Sequence, residues 1–204
     1  MHADPRVDEV LGFWFGTTPE EASKARARWF ARDAAFDELI RSRFGALYDS
    51  IGQGGLDAWI GTTTRTPESM LAYVVVLDQF SRNLFRDSSR AFEYDASALA
   101  ATEAAIADGL DRSLSLVQRY MLFMPLMHAE SAEAQRRSIA TFARLRDEAA
   151  GAADASMYQN ALDYAESHAR IVVRFGRFPH RNRLLDRTTT ADEAQFLLEP
   201  GSSF

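Results

Sequence analysis

Helix starts are written into this chain from one end to the other, and paired strands are not. Asp4-Pro5 sets a capping carboxylate before a first-turn proline, the place where proline's missing N–H costs nothing. Thr18-Pro19-Glu20-Glu21, Thr66-Pro67-Glu68 and Thr190-Ala191-Asp192-Glu193 repeat the pattern with a threonine cap. In the first and last of these a glutamate three residues on completes a capping box. Behind the caps, apolar residues recur at helical spacing. Val7, Val10, Leu11, Trp14 and Phe15 form one stripe closed by Gly16, and Phe36, Ile40, Phe44, Leu47 and Ile51 form another closed by Gly52 and Gly54-Gly55. The Thr66 start runs on through Met70, Leu71, Val74 and Leu77 to about Phe85. Asp95 opens a segment ended by Gly109, and Leu114 to Met127 reads as a helix that Pro125 should kink or end. Ile139, Phe142 and Leu145 mark a further helix, and Asp154 caps the longest, through Tyr158, Leu162, Ala165 and Val172 to Gly176. Val74-Val75-Val76 favours strand by propensity, yet it lies inside a capped helical pattern with no partner strand. The expectation is an all-α fold of about nine or ten helices in antiparallel hairpins, one domain over residues 1–204.

Composition narrows the chemistry. With 47% hydrophobic and 25% charged residues the chain has enough apolar side chain to offset its conformational entropy. The absence of cysteine removes disulfides, thiolate metal sites and a thiol nucleophile together, and fits the cytoplasm. A net charge of −6 argues against a phosphate-backbone partner, so no nucleic acid is expected. Lys24 is the one lysine among 23 basic residues, a bias that the abundant alanine ascribes to coding composition more than to function. No apolar run follows Met1 and none reaches roughly 18 residues, so neither a leader nor a membrane span is expected. Trp14, Trp29 and Trp59 fall on or beside apolar stripes and read as core.

Three polar clusters stand out. In Asp78-Gln79-Phe80-Ser81-Arg82-Asn83-Leu84-Phe85-Arg86, helical winding stacks Asp78, Arg82 and Arg86 in one row, with Gln79 and Asn83 beside it. Asp78 and Arg82 can pair across one turn. This polar stripe begins where an all-round apolar helix stops, as the rim of a cavity would, although most such stripes are solvated faces or salt-bridged supports. In Arg174-Phe175-Gly176-Arg177-Phe178-Pro179-His180-Arg181-Asn182, Gly176 and Pro179 force the chain into a loop crowded with cationic groups. That is an anion-binding candidate or, equally, a set of helix C-terminal caps. The third cluster is His128-Ala129-Glu130 with Gln135, just after Pro125; the spacing lacks the i, i+4 histidine pair of helical zinc sites, so no metal is expected. No nucleotide-binding glycine loop and no serine elbow occur.

Taken together these stretches resemble a bacterial family, domain-of-unknown-function family 924. The resemblance rests on Val10-Leu11-Gly12-Phe13-Trp14-Phe15-Gly16, Trp29-Phe30, Leu77-Asp78-Gln79-Phe80-Ser81-Arg82-Asn83 and Arg90-Ala91-Phe92 with Asp95. It extends through Pro125-Leu126-Met127-His128-Ala129-Glu130 with Gln135, and His168 with the Arg174 to Asn182 block. Ser81 departs from it, standing where the family pattern has proline. The resemblance implies a tetratricopeptide-like helical array and no activity. The roughly 34-residue tetratricopeptide signature does not recur here, so the residues themselves support an array only through helix pairing.

The clusters nominate one candidate groove: Asp78, Gln79, Arg82, Asn83, His128, Glu130, His168, Arg174, Arg177, His180, Arg181 and Asn182. Two functions fit it. One is a binding module whose arginine forks and amides hold a small anionic molecule or peptide. The other is a small-molecule enzyme using a histidine with Glu130 as acid and base, with or without a metal. Neither calls for an organic cofactor, and homodimerisation through an exposed apolar helix face is compatible with both.

Overall fold

The computed structural model describes residues 4–203, and among them every regular element is helical. Their contacts divide the chain into two compact units, residues 4–86 with Arg90–Pro125, and Asp87–Ser89 with residues 126–203.

In the first unit the expected helix starts occur, although the Glu21 carboxylate turns to Thr17 and does not close a box with Thr18. Asp4 accepts the Arg6 backbone N–H at 3.0 Å and starts α1 (Pro5–Phe15). The same carboxylate takes the indole N–H of Trp59 at 2.8 Å, so one cap also ties α1 to the short helix α4 (Asp57–Ile60). Gly16 ends α1 at φ 76°, and an added Cβ there would stand 2.4 Å from the Ala22 nitrogen in α2 (Pro19–Arg26). Only glycine permits that approach. Asp33 caps α3 (Ala34–Asp49), and Thr66 and Ser69 close a reciprocal box at the start of α5 (Pro67–Val74).

From α5 the helix continues without a break through a π-helical stretch, Val75–Phe80, into α6 (Ser81–Leu84). Residues 69–81 are buried on every side. The valine run is therefore helical, its strand preference overridden by a place at the centre of the unit. Around α5 pack α1, α4, α7 (Asp95–Ala107) and α8 (Leu116–Leu122), while α3 lies against α6. Phe13, Trp14, Trp29, Phe36, Phe44 and Phe80 interlock there, with ring centroids 4.8–6.2 Å apart. Each such ring removed from water contributes about 1.5–3 kcal/mol. Trp14, Trp29 and Trp59 are all core, as expected.

Pro125 does not kink a long helix. The break comes first, at Phe123, and Pro125 occupies the opening turn of α9 (Met124–His128), where no N–H is needed. The second unit rests on a hairpin of α10 (Ala132–Glu148) and α11 (Ala155–Phe175), which pack together across a short turn. Such a turn is too short to return the chain for a parallel helix, so the two run antiparallel. Gly176, at φ 71°, ends α11. The chain then makes a single 3-10 turn at Pro179–Arg181 and reaches α12 (Ala191–Phe196), which Thr190 and Glu193 open with a capping box. Ile171, Val172 and Phe178 pack with Phe175 and Phe196, pinning the loop to α11 and α12.

Candidate functional site

Asp78, Gln79, Arg82 and Asn83 belong to the first unit, and they do not form a rim. Asp78 is fully buried and Gln79 nearly so, because the stripe lies within the π-helical stretch and its approach to α6. Asp78 takes a hydrogen bond from the Gln79 amide at 2.6 Å and lies 3.3 Å from the Arg82 guanidinium, the one-turn pairing that the spacing predicts. Arg82 also donates to the Asp78 carbonyl at 2.6 Å and to Asp95 at 3.1 Å. Burial works against the Arg82 charge, but Asp78 and Asp95 outweigh it and hold the guanidinium more firmly protonated. Asn83 and Arg86 both turn to Asp37 in α3, at 2.8 and 2.9 Å. Asp37 and Asp95, which sequence reasoning missed, close this network. Both are first-turn acids of helices, a pattern that gives no hint of a distant arginine.

The remaining candidates lie in the second unit, where a chain of charged groups runs from α9 to α12. Glu130 accepts the Phe178 backbone N–H at 2.8 Å and a forked pair from Arg187 at 2.6 and 3.0 Å. Arg187 also donates to Asn182 Oδ1 at 3.0 Å, and Asn182 donates to Glu193 at 3.2 Å. Glu193 receives Arg177 at 2.6 and 2.8 Å and the Thr190 N–H at 2.7 Å, so its acceptor sites are filled. These donors, Arg177 first, hold Glu193 down at about 2. Burial would raise Glu130, yet Arg187 and the Phe178 N–H hold it below the usual range. Arg174 lies apart, on an exposed pair with Asp192 at 2.7 Å. Arg187 and Glu193 are again residues that sequence reasoning did not place in the site. Glu193 was legible only as a cap, and the pairing of Glu130 with Arg187 spans 57 residues.

Beside that chain, Phe178 gathers the histidines. His168 meets its ring edge-on at 5.5 Å, His180 lies 5.6 Å away, and Arg181 stands over it at 4.5 Å. His128 is 6.3 Å from His168, ring to ring. Two supports fix that pair. The Gln135 amide donates to the Met127 and Ala129 carbonyls at 2.7 and 2.8 Å, gripping the backbone on both sides of His128. His168 Nδ1 lies 2.7 Å from the Tyr164 carbonyl, an acceptor only, so Nδ1 carries the proton and Nε2 is left basic. Burial, then His128 and Arg181, push His168 down to about 3. Burial and Arg181 push His180 down to about 4 against the opposing pull of Glu130. Both rings are thus neutral near pH 7. Among the described residues no three His, Asp or Glu side chains come together as a metal site.

The structure therefore brings His128, Glu130, His168, Arg177, His180, Arg181 and Asn182 into one neighbourhood of the second unit. Arg174 stands at its margin, and the Asp78 group is housed in the first unit. Among the described residues no helix is long and apolar enough to cross a membrane.

A solved structure, that of a protein of unknown function, ATU0120, from Agrobacterium tumefaciens, shares 34% sequence identity with this chain. The match has a TM-score of 0.74 and covers 95% of this chain and 98% of that one. No curated protein matches. The profile of the family described as "Bacterial protein of unknown function (DUF924)" matches residues 10–201, and the chain belongs to that family.

Proposed function

We propose that the second unit is a binding module for a compact oxyanion, a small carboxylate or a phosphate, received at the His128, His168, His180 and Arg181 cluster. The observation that carries this reading is the gathering of His128, His168, His180 and a buried Arg181 around the Phe178 ring. Arg181 is buried there, and its charge helps to drive two neighbouring imidazoles neutral. Glu130, the carboxylate that His180 and Arg181 both feel, is bound by Arg187 and the Phe178 N–H. In such a desolvated region a guanidinium fork gives an oxyanion directed, charge-assisted donors. The proposed setting is the cytoplasm, in keeping with a cysteine-free chain. The acid–base alternative draws no support from Glu130, which is held ionised and does not exchange a proton near neutrality.

Thermal unfolding with added phosphate or malonate tests the reading. A ligand that binds only the folded state at a hundredfold excess over Kd stabilises by about 2.7 kcal/mol. That shift should vanish in Arg181→Gln and persist in Arg174→Gln, whose side chain is exposed. Equal shifts in the two variants, or none in the parent protein, would overturn it.

A further inference from the structure

The first unit holds an open cleft of about 480 Å³ among α1, α2 and α3, within the size range of small-molecule sites. Its floor is aromatic: Phe13 and Phe36 stack at 5.6 Å with their planes 11° apart, and Phe13 is only half-buried. Two guanidiniums flank that floor. Arg43 lies over Phe13 at 4.8 Å and is tethered by Glu9 at 3.2 Å. Arg28 lies over Phe36 at 5.6 Å and, among the described residues, has no ion pair. Glu21, on the same rim, is occupied by the Thr17 N–H at 2.8 Å and by the Thr17 hydroxyl. The cleft thus offers a ring surface with an arginine beside it that pairs with no acid among the described residues.

Gly12 adds a separate observation. It sits inside α1, where glycine weakens a helix relative to alanine. A Cβ built there would meet only Thr17 Cγ2, at 3.5 Å, an ordinary contact, so packing does not require glycine as it does at Gly16. Both Gly12 and Thr17 line the cleft. The missing side chain leaves room in the cleft that Phe13 also lines.

We propose that this cleft binds a small aromatic carboxylate, its ring laid against Phe13 in the space left by Gly12 and its carboxylate received by Arg28. Aromatic faces prefer such offset contact, and a guanidinium takes a carboxylate through parallel hydrogen bonds. The site shares no residue with the histidine cluster and does not rest on the reading of that cluster.

Calorimetric titration with phenylacetate, phenylacetamide and acetate tests it. Phenylacetate should bind, with the neutral amide about tenfold weaker, because the charge-assisted bonds are lost. Acetate, lacking the ring, should give no measurable heat. Arg28→Gln should weaken phenylacetate to the level of the amide. Gly12→Leu should abolish binding while the circular dichroism stays that of the parent, and Gly12→Ala, melting no lower than the parent, separates lost space from lost fold. The proposal is overturned by absent phenylacetate binding, by equal affinity for the amide, or by binding that survives in Gly12→Leu.

Discussion

Arg82 in the first unit and His168 in the second are both carried indoors by a long helix, and they end in opposite electrical states. Burial opposes the charge of each. Arg82 stays ionised because Asp78 and Asp95 flank it, whereas His168 becomes neutral because its polar neighbours are His128, His180 and Arg181. The first arrangement is self-contained: acid and base are supplied by α5 to α7 and satisfy one another. The second crowds imidazoles and a guanidinium around one ring, and the carboxylate that reaches them, Glu130, is also bound by Arg187 and the Phe178 N–H. A closed ionic tie supports a core, and a polarised cluster is where a ligand of opposite sign gains most.

The comparison breaks most visibly at Asp78. Removing one partner of a buried ion pair leaves the other uncompensated and costs about 3–5 kcal/mol. Asp78→Ala should lower the urea-unfolding free energy by up to that amount, since Asp95 still flanks Arg82. A loss below about 1 kcal/mol would mean that the network is not the support described here.

Acid should distinguish the units next. His168 and His180 hold their folded values at about 3 and 4, below the ordinary 6.5. Between those limits the unfolded chain binds protons that the folded protein refuses, so stability rises with pH. It is complete above about 6.5 and is lost as pH falls. Each neutral histidine contributes a slope of about 1.4 kcal/mol per pH unit. From pH 6.5 down to 4.5, where glutamates begin to protonate, His168 alone therefore accounts for roughly 2–3 kcal/mol. Unfolding measured across that interval should show the slope halved in His168→Gln. An unchanged slope would refute the neutral ring.

How far this contrast was legible in the sequence depended on whether the cause was local. Asp4, Thr18, Thr66 and Thr190 announce helix starts because a cap and its partner lie within three residues, and those starts occur where the pattern puts them. The Asp78–Arg82 pair is equally local. The π-helical winding was not legible: residues 69–81 are buried all round, so no apolar stripe records their angular register. That turned an expected rim into an interior network. Glu130–Arg187 and Asn83–Asp37 were also invisible, because pairs 57 and 46 residues apart leave no periodic trace. The His128–His168 approach is of the same kind, set by α9 meeting the α10–α11 hairpin.

A smaller effect sharpens the second unit's own map. Arg187 forks onto Glu130 and holds Asn182 and the Phe178 carbonyl, with its side chain 22% exposed. Arg187→Met should cost about 2 kcal/mol, since Glu130 is left desolvated with two donors fewer. It should also raise the Glu130 carboxyl toward its ordinary value, visible by NMR titration. A cost near zero would detach Glu130 from the Phe178 loop.

The smallest change is expected at Arg174, which carries the same guanidinium–carboxylate chemistry on the surface. It pairs with Asp192 at 2.7 Å, but the two side chains are 46% and 64% exposed. Water and salt screen such a pair, and holding two mobile chains together offsets much of the attraction. Asp192→Ala should therefore cost less than about 0.5 kcal/mol and become neutral at high salt. Arg174→Ala loses somewhat more, because the guanidinium also covers the Phe175 ring at 4.6 Å, a contact that salt does not screen. A salt-insensitive loss above 1 kcal/mol in Asp192→Ala would show the exposed pair to be as structural as Arg187–Glu130. Burial would then no longer be what separates the arginines of this loop.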